Sequence, residues 1–403
     1  MQTQFIPARR NVEFGIYRDG DNNLDASQSI ALAQALKTSA ADSTIEFTVQ
    51  DTTGLRVSHG DVFEGKMRTD AFTIADGQIG QASIGKPHTM SNPKNLAQFV
   101  AHTLDNAEAT GAKQTWIDLV DHGGGDGGGL ETHTGAVMSM PDIAKAIADG
   151  VAIHAQAHPE DAHRGIDGVV ANQCLMSTLG FSDALSRVGV KYLAASPETM
   201  VSPGVPSGVA HAIAAHIGDP KAMSQAVVRD VMQARYGYGS GPAAAFDVLD
   251  TTHAPIAKAE AAIKRFNDAA AASNASVKKE LKADVESVPG MVRFSAATPD
   301  MPWHADRPAI ALYNAVASDS HIDQSLRDDA RDAAKAVGNL VLAHGESKHF
   351  APFDGSDYQD AVGPTIHAPI NASQIDPWAP KISETHNAFY KAVDEDKLTR
   401  AIA

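Results

Sequence analysis

Two short segments of this chain combine residue types that do covalent chemistry. Asp121-His122-Gly123-Gly124-Gly125 follows the apolar run Ile117-Asp118-Leu119-Val120, and Asn172-Gln173-Cys174-Leu175-Met176 follows Val169-Val170-Ala171. Cys174 is the single cysteine in 403 residues, so no intrachain disulfide forms, and the residue is either a small buried hydrophobe or a reactive thiol. A thiol facing an imidazole suits acyl chemistry: sulfur attacks an acyl carbon and the imidazole returns a proton to the leaving amine. Glycine beside the imidazole lets the Gly123 N–H approach an oxyanion, with the Cys174 N–H as second donor. A cysteine opening a helix from about Leu175 would also gain thiolate character from the helix N-terminus.

The elements around these segments place both at one edge of a sheet. Val12–Tyr17 and Ile45–Val49 read as strands with a helix between them, the opening of a βαβ unit. Leu55–Val57 and Ala71–Ile74 read as a hairpin excursion. Asn92 and Pro93 start a helix whose Leu96, Phe99, Val100, Thr103 and Leu104 share one face. Strand Thr115–Val120, a helix from Ser139, strand Gly168–Ala171, a helix from about Leu175 to Val188, and strand Lys191–Ala195 follow. Strands alternating with helices imply an α/β fold with a mostly parallel sheet covered on both faces. In such a sheet functional groups gather at the carboxyl ends of strands, where His122 and Cys174 both lie. After residue 205 the chain turns largely helical. The expected division is a catalytic core over 1–250 and a mainly helical region over 251–403, with a late strand at 365–367 and a last helix near His386–Val393.

These residues resemble the clostripain-type cysteine peptidases of the caspase, legumain and gingipain superfamily. The matching pieces are Asp21-Asn22-Asn23-Leu24 after the first strand, His122-Gly123-Gly124-Gly125, Cys174-Leu175-Met176, and Ala195-Ser196-Pro197-Glu198 with Pro203-Gly204. Their order matches too, and the separation of 52 residues between His122 and Cys174 is close to the roughly 50 of the caspase signature. The resemblance implies a caspase-like three-layer sandwich, a His122/Cys174 dyad, peptide or protein substrates, and hydrolysis with no obligatory cofactor. It further implies activation by self-cleavage between residues 130 and 170, where Lys145 and Arg164 are the basic residues and Arg164 the more loop-like. One departure stands out: members that cleave after Arg or Lys carry an aspartate two residues before the cysteine, and here that position is Asn172. An amide lacks the charge that holds a guanidinium. Glu198 or Glu131 would have to supply it, and Asn172, Glu198 and Ser196 are the candidate substrate-binding residues. The tryptophan usual after Pro-Gly is replaced by Val205. Asn172 and this altered region also motivate an alternative, a catalytically silent peptidase fold that binds a peptide or protein partner. A third reading is acyl transfer to an amine by the same dyad.

The remaining signals read as structural. Asp19, Asp21, Asn23 and Asp25 alternate like the start of a calcium loop, but Leu24 stands where the turn glycine belongs and Ile30 where the closing glutamate does. Calcium is therefore the secondary expectation and helix capping the primary one. The glycine run 123–129 lacks the Lys-Ser/Thr of a phosphate loop and reads as a mobile loop on the substrate side. His154, His158 and His163 include an i, i+4 pair, but no HExxH glutamate accompanies them, so they read as a solvated helix end and no metal site is assigned. Residues 254–288 read as a solvated helix pair. A formal charge of −16 opposes nucleic-acid binding. No stretch is long and apolar enough for membrane insertion, and Met1–Arg10 holds no apolar export segment.

Overall fold

The structure is a computed structural model that describes residues 9–58, 61–80, 83–85, 89–235, 245–290, 305–347, 362–370 and 387–402. Its strands are β1 (Val12–Asp19), β2 (Ile45–Ser58), β3 (Asp61–Ala75), β4 (Gln78–Ile79), β5 (Ser83–Gly85), β6 (Gln114–Val120), β7 (Gly168–Asn172), β8 (Tyr192–Ala195), β9 (Ala245–Asp250), β10 (Asp306–Pro308), β11 (Val341–Glu346) and β12 (Thr365–His367). Ten of them form one sheet in the order β11-β9-β8-β7-β6-β1-β2-β3-β4, with β5 on β3. The five central strands, β2, β1, β6, β7 and β8, are parallel. Antiparallel strands flank them: β3 closes the hairpin within the excursion expected between residues 55 and 90, and β9 and β11 extend the other edge.

Helices α1 (Asp25–Gln28) and α2 (Ile30–Ala41) lie between β1 and β2. The β6 side chains show why the sheet is covered on both faces. Ile117 and Leu119 point into one core, packed with Leu96, Phe99 and Leu104 of α3 (Pro93–Thr110) and Ile143 and Ile147 of α4 (Met140–Ala157). Trp116 and Val120 point into the other, with Val209 and Ile213 of helix Val209–Ala215 and Val227 and Val231 of helix Pro220–Gln233. Both faces of a parallel strand are buried, and the run is accordingly apolar almost throughout. Asn92 caps α3 by accepting from the Lys94 N–H, and Ser139 caps α4 by accepting from the Asp142 N–H. The chain is thus a three-layer α/β sandwich of the kind expected.

The region after residue 250 is mainly helical but not separate from the sheet. β11 pairs with β9, so the sheet crosses the boundary read at residue 250. The strand at 365–367 forms as expected, but it pairs with β10 in a small two-stranded sheet. The helix expected near His386–Val393 is described from Ala388 to Val393, with His386 outside the described residues, and it is not the last, since a further helix runs over Glu395–Ile402. Helices His253–Ala272 and Ala275–Ser287 form the pair expected over 254–288, but one face of each is buried in a third core. Ile256, Ile263, Phe266, Leu281 and Val285 are buried there with Leu312, Tyr313, Val337 and Phe389. Alanines at 259, 262 and 270 complete the buried stripe, and small residues of that kind give little amphipathic contrast in sequence.

Candidate active site

β6 and β7 are neighbours, with Val120 opposite Asn172, so the loops leaving them emerge side by side at the carboxyl edge of the sheet. They touch at Gly123, where a Cβ would lie 2.3 Å from the Cys174 carbonyl oxygen and 2.8 Å from the Gln173 Cβ. Only glycine permits this approach. It sets the backbone of Gly123, and with it His122, against Cys174. The N–H of Gly123 has no acceptor among the described residues and remains available as a donor, and the Cys174 N–H is engaged only by its own sulfur.

His122 is held from the other side. β1 is the second neighbour of β6, and the loop after β1 carries Asn23, whose Oδ1 lies 2.7 Å from His122 Nε2. A carboxamide oxygen only accepts, so the ring proton resides on Nε2 and Nδ1 is left as the acceptor. Asn22 fixes the same junction: its Nδ2 donates to Asp121 Oδ1 at 2.5 Å and to the Glu131 carbonyl at 2.9 Å. Burial lowers the His122 pKa, with the Glu131 charge acting against it, and the imidazole is neutral at pH 7. The positioning roles of Asn22 and Asn23 escape a reading of the sequence, in which the two residues appear only as part of a motif.

Cys174 lies on a turn and not at a helix start. Leu175 has a φ of 64° and its N–H donates to the Glu198 carbonyl at 3.1 Å. The next helix, α5, runs from Leu179 to Arg187 with Thr178 as its cap. The expected helix from Leu175 is therefore corrected to begin four residues later, and no helix dipole acts on the sulfur at close range. Cys174 Sγ accepts from the Met200 N–H at 3.3 Å. Burial, with the Glu198 charge adding to it, pushes the thiol up to about 11. Thiol and imidazole are thus both neutral at pH 7. Alkylation of Cys174 by iodoacetamide is expected to accelerate through about pH 8–10, whereas a plateau reached below about pH 7, the mark of a low-pKa thiolate, would contradict this assignment.

Asn172 sits at the end of β7, buried, with its amide spent on a turn. Its Oδ1 accepts from the Val205 N–H at 2.8 Å and its Nδ2 donates to the Val205 carbonyl at 3.3 Å. A Cβ on Gly204 would lie 1.9 Å from that oxygen, so the Pro-Gly turn and Asn172 fit only with glycine. Val205, in the region of the missing tryptophan, is buried. Asn172→Asp would set a carboxylate oxygen against the Val205 carbonyl. The expected cost is about 1–3 kcal/mol of stability by urea melt, without a simple switch to cleavage after Arg or Lys; unchanged stability with new basic specificity would refute this role for the amide.

Ser196 is fully buried, its Oγ 2.7 Å from the carbonyl oxygens of both Glu198 and Ala245, with one proton to give, and it accepts from the Glu198 N–H at 3.1 Å. It closes the end of β8 and offers no surface to a ligand. Glu198 is also buried, its Oε1 accepting from the Thr199 N–H at 2.8 Å, and its charge acts on Cys174. Glu131 acts on His122 instead.

The glycine run forms an ordered ribbon. Gly129 bridges antiparallel to both Gly123 and Met138. Asp126, at its tip, is pushed up to about 8 by burial and by Asp306, which lies 2.9 Å from His367 Nδ1. The C-terminal region thereby reaches the ribbon beside His122. The four residues with calcium-loop spacing have separate partners: Asp19 accepts from the Asp21 N–H, Asp21 faces His133, Asn23 faces His122, and Asp25 faces Arg18 and Thr53. No helix among the described residues is long and apolar enough to cross a membrane.

No protein-family model matches this sequence, and no curated protein matches it. Solved structures do. A secreted C11 cysteine protease from Bacteroides thetaiotaomicron, in complex with an irreversible peptide inhibitor, superposes with a TM-score of 0.65 at 13% identity, covering 96% of this chain and 99% of that one. An inactive zymogen C11 protease from Parabacteroides distasonis gives 0.62 at 15% identity, with coverage of 96% and 99%. The chain has the fold of C11, clostripain-family cysteine proteases.

Proposed function

We propose that this protein is a cysteine endopeptidase that uses Cys174 as nucleophile and His122 as general acid and base. The observation that supports the reading is the meeting of the two strand-end loops at Gly123, which brings the backbone that carries His122 against the backbone of Cys174 and leaves the Gly123 N–H without an acceptor among the described residues. The C11 protease fold supports it. In the reaction, His122 Nδ1 takes the thiol proton as sulfur attacks the peptide carbonyl carbon. The oxyanion is received by the N–H groups of Gly123 and Cys174, and the proton passes to the leaving amine as the C–N bond breaks. Water then attacks the thioester with His122 as base, releasing the carboxylate and restoring the thiol. The reaction written this way needs no metal.

The peptide inhibitor bound by the Bacteroides neighbour supports a peptide as substrate. Asn172 serves in this reading as the clamp on the 203–205 turn, and the charge of Glu198 acts on the nucleophile. The Parabacteroides neighbour is a zymogen, which supports processing between residues 130 and 170. Arg164 is a poor site for it, since its NH1 donates to the Ala112 carbonyl at 2.9 Å and its Nε to Asp161. A mixed peptide library offered to wild type and to Cys174→Ala tests the assignment. Cleavage by wild type alone is the expected result, and the residue before each cut gives the specificity. No cleavage by either protein, before or after limited trypsin treatment, would favour the silent binding reading.

A further inference from the structure

The expected solvated helix end at His154, His158 and His163 is corrected by the fold: His154 is fully buried, and only His163 stands out in solvent. The reason is α3, which packs along α4 and brings Asp105 and Glu108, spaced i, i+3 on one face, against the two histidines spaced i, i+4. Asp105 Oδ1 lies 2.7 Å from His154 Nδ1 and 3.4 Å from His158 Nε2, and Glu108 Oε2 lies 2.6 Å from His158 Nδ1. Two further carboxylates border the group, Asp161 at 3.6 Å from His154 Nε2 and Glu160 at 3.9 Å from His158 Nδ1. Asp161 is also the partner of Arg164. His154 Nε2 is buried and has no hydrogen-bond partner among the described residues. That nitrogen lies on the ring edge away from Asp105, towards Asp161; on the Asp105 edge, Asp105, His154 and His158 bring one ligand atom each close enough together to hold a single ion.

We propose that Asp105, His154 and His158 form the core of a zinc-binding site between α3 and α4, completed by Glu108, which rests on the other edge of the half-buried His158 ring and joins when that ring turns. Two imidazole nitrogens with two carboxylate oxygens suit a borderline divalent ion of the zinc class, whereas calcium and magnesium prefer all-oxygen sets. Four protein ligands leave no open position, so the ion is structural. α4 begins beside the glycine ribbon and is 18 residues long, about 27 Å, which puts the site at the far end of the helix from Cys174. Bound there, the ion would tie the 158–161 segment to the helix pair just before β7.

The test uses the full chain carrying Cys174→Ala, so that the thiol cannot bind metal, stripped with chelator and titrated with zinc chloride. One equivalent is expected, with a melting temperature that rises with zinc concentration. His158→Ala and Glu108→Gln, at positions 32% and 25% exposed, should each weaken binding by more than about 10-fold while their metal-free melting temperatures match the parent. Independently of any variant at the site, zinc should protect His158 from carbethoxylation by diethylpyrocarbonate, read by peptide mass spectrometry. Absence of binding, binding undiminished in both variants, or unprotected His158 at saturating zinc would each overturn the proposal.

Discussion

His122→Ala is expected to lower kcat/KM for peptide hydrolysis by on the order of 10⁴-fold or more while leaving the melting temperature nearly unchanged. The imidazole is half-buried at the mouth of the site and its one recorded hydrogen bond is to Asn23, so little packing is lost. The chemical loss is large because the thiol is protonated at neutral pH, pushed up to about 11 by burial, and needs a base to become a nucleophile. Asn23→Ala removes only the group that fixes the Nε2 proton. It should cost about 10–100-fold in kcat, as loss of an orienting partner commonly does, with KM little changed. Cys174→Ala combined with His122→Ala should be no worse than Cys174→Ala alone, because the two act as one unit. A His122→Ala variant that keeps a tenth or more of wild-type activity would remove the histidine from the mechanism.

Arg18→Ala is expected to produce the largest loss of stability. The guanidinium is fully buried at the end of β1, with NH1 3.0 Å from Asp25 Oδ1 and NH2 2.5 Å from Asp51 Oδ1. Removing it strands two buried carboxylates, which typically costs about 3–5 kcal/mol. The sign of the pH dependence follows from Asp51, whose pKa burial already raises in the presence of Arg18. Without the arginine it rises further. A carboxyl with a folded pKa above its unfolded value loses stability as pH rises from the unfolded towards the folded value. The deficit of Arg18→Ala should therefore be larger at pH 8 than at pH 5, read from urea midpoints at both. Asp25 anchors the turn that carries Asn22 and Asn23, so activity should fall with stability. A deficit below about 1 kcal/mol, or one that grows on acidification, would contradict the account.

The sequence made the site legible where a strand ran into a chemically unusual loop. Ile117–Val120 and Val169–Ala171 announce buried parallel strands, and adjacency of β6 and β7 follows from one intervening crossover helix, which puts His122 and Cys174 at one edge. What stayed hidden depends on contacts across long separations. Asn23 meets His122 across 99 residues and Asp105 meets His154 across 49, and no local pattern encodes either meeting. The start of α5 was misplaced because Leu175 and Met176 look helical, whereas the Leu175 N–H is committed to the Glu198 carbonyl, and Thr178 alone offers the side-chain cap. In sequence alone, Asp323–Leu342 reads as one amphipathic helix because Val341 and Leu342 continue the apolar rhythm of Gln324–Gly338, whereas both residues belong to β11.

The most direct test is covalent capture of the nucleophile. Wild type, Cys174→Ala and His122→Ala are incubated with a mixture of peptidyl acyloxymethyl ketones differing in the residue beside the warhead, and adducts are mapped by tandem mass spectrometry. The account predicts one adduct per chain on Cys174 in wild type, none in Cys174→Ala, and a strongly slowed reaction in His122→Ala. A folded wild-type protein left unlabelled, or one labelled at a residue other than Cys174, would contradict it.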